Sequence, residues 1–321
     1  MLWRAVVGRL GLSIVTLWVV SVLIFIGTNL LPGDIAQIML GQTATPENTQ
    51  ALRVKLGLDK PAHMQYLVWL GNIAQGDLGI SKAGLGAGLG TPIVEVLGPR
   101  VTNTLRLTAL VAVIAIPFSL FIGLIAAMHP GTKLDRTVTF STLSLISVPD
   151  FLVATFLVLI FAVYLGWLPS IVFLRGNETG WVLIKTLAMP TLTLIIVASS
   201  QIIRMTRATV LNVMSSPYIE MAILKGVPRK KIILRHALLN AIGPIVNVIV
   251  LNLAWLVGGV VVVEIIFAYP GLAKLMVEAV LLRDLPLVQA CAMIFCGTYV
   301  VLIFLADMAS ILSNPRLRHP K

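Results

Sequence analysis

Apolar residues fall along this chain in long blocks rather than in alternation. The blocks cover residues 10–31, 103–128, 138–165, 187–205, 241–267 and 288–312. Roughly 20 apolar residues suffice for a helix to cross about 30 Å of hydrocarbon, so the pattern predicts six transmembrane helices. The first block exceeds the core of a signal peptide, and Leu30-Leu31-Pro32-Gly33-Asp34 offers no small-x-small cleavage site, which makes it a retained span. The fold class this implies is an all-α integral membrane protein with both termini on one side, the cytoplasmic one.

Polar stretches punctuate the blocks. Residues 32–100 read as a large folded outer loop between the first two spans. Thr45-Pro46-Glu47 opens a helix that Gly57 closes, a second helix runs from about Pro61 to Gln75, and Thr91-Pro92 opens a third, short one. Gly84, Gly86, Gly88 and Gly90 between them form a flexible connector, because no Gly-Lys-Ser/Thr follows to make a phosphate cradle. Residues 268–287 form a second outer loop, and residues 206–240 a cytoplasmic one. In this last loop Ser216 can cap a helix, Pro217 suits its first position, Gly226 suits the left-handed residue after its last turn, and Pro228 stops it. Ile219, Ala222, Ile223 and Gly226 recur at i, i+3, i+4 and i+7, a face with small residues that fits a partner.

Charge supports this topology. The 321 residues are 58% hydrophobic and only 12% charged, with a net charge of +11. Fourteen of the 24 basic residues, among them Arg229, Lys230, Lys231 and Arg235, lie on segments assigned inside, against Asp135, Glu220 and Asp307. The basic excess therefore obeys the positive-inside rule and does not call for nucleic acid. Membrane lipid is the solvent.

Chemistry is sparse. Cys291 and Cys296 sit about 140° apart around one helix and read as packing residues. His63, His129, His236 and His319 are scattered over different segments, which gives no metal cluster, and no nucleophile, base and orienting group come together as a catalytic set. Asp150 follows Pro149 inside an apolar block, where a carboxylate facing lipid would cost a few kcal/mol. It should face a pathway or a partner. Either it contributes to selectivity for a cationic or amine-bearing substrate, or it helps to open a proline-bent helix.

The segment Glu220-x-Ala222-x-x-x-Gly226 resembles the Glu-Ala-Ala loop of ABC importer permeases, with Met221 where Ala is usual. Further blocks are similar to the first permease subunit of peptide and nickel importers. They are Leu31-Pro32-Gly33-Asp34, Leu56-Gly57-Leu58-Asp59-Lys60-Pro61, Gln65-Tyr66, Gly76-Asp77-Leu78-Gly79, Glu264-x-x-Phe267-x-x-Pro270-Gly271-Leu272, Arg283-Asp284-x-Pro286-Leu287-Val288-Gln289 and Asn314-Pro315-Arg316.

The resemblance implies a bacterial cytoplasmic (inner) membrane heterodimer of this chain and a homologous permease. Two ATP-binding subunits would drive it, with ATP and Mg bound there and no cofactor in this chain, and an outer solute-binding protein would deliver substrate. Residues 217–226 would be a coupling helix, with Pro217, Ile219, Glu220, Ala222, Ile223, Gly226, Arg229, Arg235 and His236 as coupling residues. Asp150, Glu264, Phe267, Pro270 and Gly271 would belong to the pathway or its outer gate. The cargo would be di- or oligopeptides, with nickel complexes, glutathione and other peptide-like solutes as alternatives. A secondary transporter driven by an ion gradient is the reading from another class, and it would call for intramembrane ion relays. The chain itself has no Gly-x-x-x-x-Gly-Lys-Ser/Thr and hydrolyses no nucleotide on this reading.

Overall fold

A computed structural model describes residues 2–30, 35–41, 44–81, 90–174, 180–232 and 238–313. They are almost entirely helical. In chain order the elements are α1 (Leu2–Asn29), α2 (Ile35–Leu40), α3 (Pro46–Leu56), α4 (Ala62–Ala74), β1 (Ile80–Ser81), β2 (Thr91–Pro92), α5 (Ile93–Met128), α6 (Lys133–Ser147), α7 (Asp150–Leu157), α8 (Gly180–Met214), α9 (Pro217–Leu224), α10 (Arg229–Ile232), α11 (Leu238–Ile266), α12 (Leu272–Leu281) and α13 (Leu285–Ser313). A π-helical stretch, Val158–Tyr164, continues α7. Among the described residues four helices are long and apolar enough to cross a membrane. The number rises to six if two bent pairs each count as one span.

The chain divides into two compact units. The first comprises Met1–Gly11, Leu105–Tyr269 and Val301–Lys321. In it α8 packs along α11 and α6, and α7 lies against both α8 and α11. Leu107, Val111, Met189, Leu194, Leu256, Val260 and Phe267 fill its centre. Gly123 makes the close approach of α5 to α8 possible. A Cβ there would lie 2.9 Å from the Ile203 carbonyl oxygen and 3.0 Å from Thr206 Cβ, the small-residue contact by which helices associate in lipid.

The second unit comprises Leu12–Thr104 and Pro270–Val300. Thr45 caps α3 by accepting from the Asn48 N–H, and Gly57, at φ +67°, ends it. Tyr66 and Trp69 of α4 pack on Phe25 of α1, with ring centroids 5.4 and 5.8 Å away, and the Tyr66 and Ser21 hydroxyls are hydrogen-bonded at 2.8 Å. Gln65 donates to the Lys60 carbonyl at 2.8 Å. Asp77 accepts the Gly79 N–H. Ser81 donates to the buried carboxylate of Asp284 at 2.6 Å, and Asp284 also accepts the Leu287 N–H in the first turn of α13. Gln289 donates to Thr28 at 2.6 Å. The sequence blocks around Gln65, Asp77, Asp284 and Gln289 are thus the hydrogen-bonded joints of this unit.

Three expectations change. Thr91-Pro92 does not open a short helix. It pairs antiparallel with Ile80–Ser81, and the helix after it runs unbroken to Met128, absorbing Gly98-Pro99, which local rules treat as a stop. The block at 138–165 is not one straight span, because α6 and the α7 stretch meet at 102° across Val148-Pro149. Proline restricts the residue before it and breaks the helix, yet the residues on both sides stay apolar. The block at 187–205 extends further at both ends as α8, which carries Arg204 and Arg207 inside one helix. Leu31-Pro32-Gly33-Asp34, Gly84, Gly86, Gly88, Arg235, His236 and Asn314-Pro315-Arg316 lie outside the described residues.

Candidate functional site

Helix α9 is bounded as its residues dictate. Ser216 stands at the N-cap with extended backbone, but its hydroxyl turns back to the Val213 carbonyl instead of capping. Gly226, at φ +73°, is the left-handed residue beyond the last turn. The Gly226 N–H donates to the Ile223 carbonyl at 2.9 Å and the Val227 N–H to the Ala222 carbonyl at 3.1 Å. These two bonds are the Schellman closure that a glycine at this position permits.

The face of α9 differs from the one its spacing suggests. Ile219 is fully buried and packs with Ile232, Val213, Met214, Ala222 and Val227. An isolated eight-residue helix is unstable in water, so this apolar face is used to fasten α9 to the end of α8 and to α10. The side chains left outward are Tyr218, Met221 and Leu224, at 46, 55 and 80% exposure, with Ile223 at 54% beside them. A Cβ at Gly226 would meet nothing within 4 Å, so within this chain its requirement is one of backbone conformation. Glu220 is exposed, and its side chain makes no ion pair or hydrogen bond with a described residue.

Asp150, in the first turn of α7, lines a cavity of about 410 Å³ within the first unit. The cavity is walled by Leu145, Ile146, Val197, Gln201, Leu251, Asn252 and Trp255 from α6, α8 and α11. Val197, Gln201 and Arg204 fall on one face of α8 at i, i+4 and i+7, and the Arg204 guanidinium reaches the Gln201 side-chain carbonyl at 3.4 Å. Asn252 donates to the Val248 carbonyl at 2.9 Å. The Asp150 carboxylate has no hydrogen-bonding or ion-pairing partner among the described residues. A half-buried carboxylate, two amides and an indole offer acceptors and an aromatic face, a suitable lining for an ammonium group.

The expected gate residues divide between the units. Glu264 and Phe267 are fully buried in the first, where the Phe267 carbonyl accepts the Val172 N–H at 2.8 Å. Pro270 and Gly271 belong to the second. There the Pro270 carbonyl accepts from Asn103, and Gly271 precedes α12, whose Leu272 N–H donates to Thr104 at 2.8 Å.

Residues 119–319 match the model of the family described as binding-protein-dependent transport system inner membrane component, and residues 1–87 match its N-terminal companion. The chain belongs to this family. It is 36% identical to a putative peptide transport system permease protein of Brucella melitensis, over 99% of this chain and all of that protein. It is 34% identical to a glutathione transport system permease protein of Escherichia coli, over 98% of both chains. A probable peptide ABC transporter permease protein of Sinorhizobium fredii is 33% identical, over 98% of this chain and 99% of that one. The protein is therefore an ABC importer permease of the inner membrane, a multi-pass transport subunit rather than a catalytic one.

Two features of this permease were missed in the sequence. The outward face of α9 does follow a pattern, Tyr218, Met221 and Leu224 at i, i+3 and i+6, but spacing does not say which of two apolar faces is already covered. Gln201, Asn252 and Trp255 join Asp150 only through the packing of α8, α11 and α7, which local pattern does not encode.

Proposed function

We propose that this permease forms the translocation pathway of an ATP-driven importer together with a homologous second permease, and that di- and oligopeptides are its cargo. On this reading the chain crosses the membrane six times, and its basic excess puts both termini inside. The Arg9–Asp307 ion pair, at 3.0 Å between α1 and α13, supports an even number of crossings. Two motor subunits bind ATP and Mg and hydrolyse the nucleotide, and an outer solute-binding protein loads the substrate. The observation that carries this reading is α9, a helix of eight residues fastened to α8 by Ile219 and turning Tyr218, Met221 and Leu224 outward. Those side chains fill the groove of a motor subunit, so closure of the motor dimer pushes on the end of α8. Gly226 keeps the turn behind them narrow, and Arg229, Arg235 and His236 belong to the same coupling segment of the sequence.

The cavity at Asp150 lies on the pathway and receives the ammonium group of a passing peptide. The relatives named for peptide and glutathione transport support a peptide-like solute, and a peptide with a free amino terminus carries an ammonium group at neutral pH. Glu264, Phe267, Pro270 and Gly271 act at the outer gate.

Reconstitution in proteoliposomes with the second permease, the motor subunits and the binding protein tests this reading. Labelled dipeptide should accumulate only when ATP and binding protein are both present. Accumulation on an ion gradient without ATP would instead assign the chain to the secondary transporters.

A further inference from the structure

Asp135 and Arg207 make a two-pronged charge contact in the first unit. Arg207 Nε and Nη2 donate to the two carboxylate oxygens of Asp135, the second at 2.9 Å. The Asp135 side chain is 4% exposed and that of Arg207 26%. Asp135 also accepts the Gly131 N–H at 2.9 Å, and Thr132 caps α6 by accepting the Asp135 N–H. One carboxylate thus ties the turn between α5 and α6, the start of α6, and α8. Beside it the α5 backbone meets α8 at Gly123 and Ile203, and Ala127 packs with Val210.

Position along the chain gives this pair its meaning. Arg207 lies seven residues, two turns, before Met214, and the Val213 and Met214 side chains are the seat of α9. Asp135 opens the 15-residue α6, about 22 Å long, whose far end is the 102° break at Val148-Pro149 before Asp150. Apolar ridges let neighbouring helices slide and rotate. A two-pronged guanidinium–carboxylate pair fixes both rotation and height, and a buried ion pair is a poor choice where stability is the only demand.

We infer that Asp135 and Arg207 are positioning residues that make α6 follow α8. Displacement of α9 is thereby delivered to the break at Val148-Pro149 and the Asp150 cavity instead of being lost between helices. The inference rests on the proposed contact of α9 with a motor subunit. The pair stays closed throughout the transport cycle.

The full complex, with both permeases, motor subunits and binding protein in proteoliposomes, tests it. Arg207→Gln and Asp135→Asn should co-purify with the motor subunits in native yield and keep basal ATP hydrolysis. They should lose at least tenfold of dipeptide uptake and of the stimulation of hydrolysis by loaded binding protein. Arg207→Lys, which keeps the charge without the fork, should fall between. If the single variants assemble and transport as the native complex does, the inference is overturned.

A second arm covers variants that assemble poorly. Asp135→Cys with Arg207→Cys, in a chain whose Cys291 and Cys296 are replaced by Ala, is treated with a short bis-methanethiosulfonate linker. Uptake should recover on linking and fall again on reduction, whereas a linked complex that stays inactive while its reduced form transports overturns the inference. A native complex that fails to bind motor subunits at all would count against the proposed function, which separates the two failures.

Discussion

Single side chains carry two consequences that stability measurements can check. Asp284 is 2% exposed, accepts the Ser81 hydroxyl and holds the Leu287 N–H. Asp284→Ala should strand buried donors at about 1–3 kcal/mol and lower the melting temperature of the detergent-solubilised chain, with Asp284→Asn milder. Gly123→Leu should be worse than Gly123→Ala, because the Ile203 carbonyl at 2.9 Å is backbone and cannot step aside. Overpacking of this kind costs about 1–3 kcal/mol, read as loss of monodisperse protein on size exclusion. Asp150 is testable at the same scale. Asp150→Asn should reduce uptake of dipeptides with a free amino terminus relative to N-acetylated ones, in competition against a labelled substrate. An unchanged ranking would remove the ammonium role.

Among the elements, α9 has two faces with opposite expected phenotypes. Tyr218→Asp or Leu224→Asp should spare expression and melting temperature while cutting co-purification of motor subunits severalfold. Ile219→Asp should destabilise the 213–232 knuckle itself, seen as increased proteolysis there. If Leu224→Asp left motor binding intact, the outward face would not be the docking one. The limits of α9 and α3 were legible because Pro217, Gly226, Thr45 and Gly57 act within a turn of themselves. The covered face of α9 was not legible, since Ile232 reaches Ile219 from a separate helix. The 102° break was half legible: Pro149 is visible, but a hydropathy block stays apolar whether its helix runs straight or folds back. Asp135 and Arg207 could not be paired from sequence, standing 72 residues apart with no local pattern to join them.

For the whole molecule, the apolar helices were legible because lipid demands length and apolarity of any span, whatever it packs against: four helices among the described residues meet that demand alone, and two bent pairs meet it jointly. Sidedness makes a direct prediction. In whole cells, a membrane-impermeant maleimide should label Lys60→Cys in the 32–100 loop, whereas Lys225→Cys should react only after permeabilisation. The reverse pattern would invert the topology and remove α9 from the reach of any ATP-binding subunit. Absent from the sequence was the division into two units, because α1, α5 and α13 each run through the boundary between them.

The π-helical stretch Val158–Tyr164 closes its backbone hydrogen bonds one residue later, i→i+5, than the α-helix before it. Everything downstream, up to the Val172 N–H that meets the Phe267 carbonyl, is therefore phased by that surplus. Deleting a single amino acid from the coil would rewind it to ordinary pitch and swing Trp167 and Leu168 by about 100°, away from the carbonyl of Phe161 that both amides now share. Chain length at this point is thus as constrained as the identity of any side chain, and viable homologous lengths should differ here by whole turns or not at all.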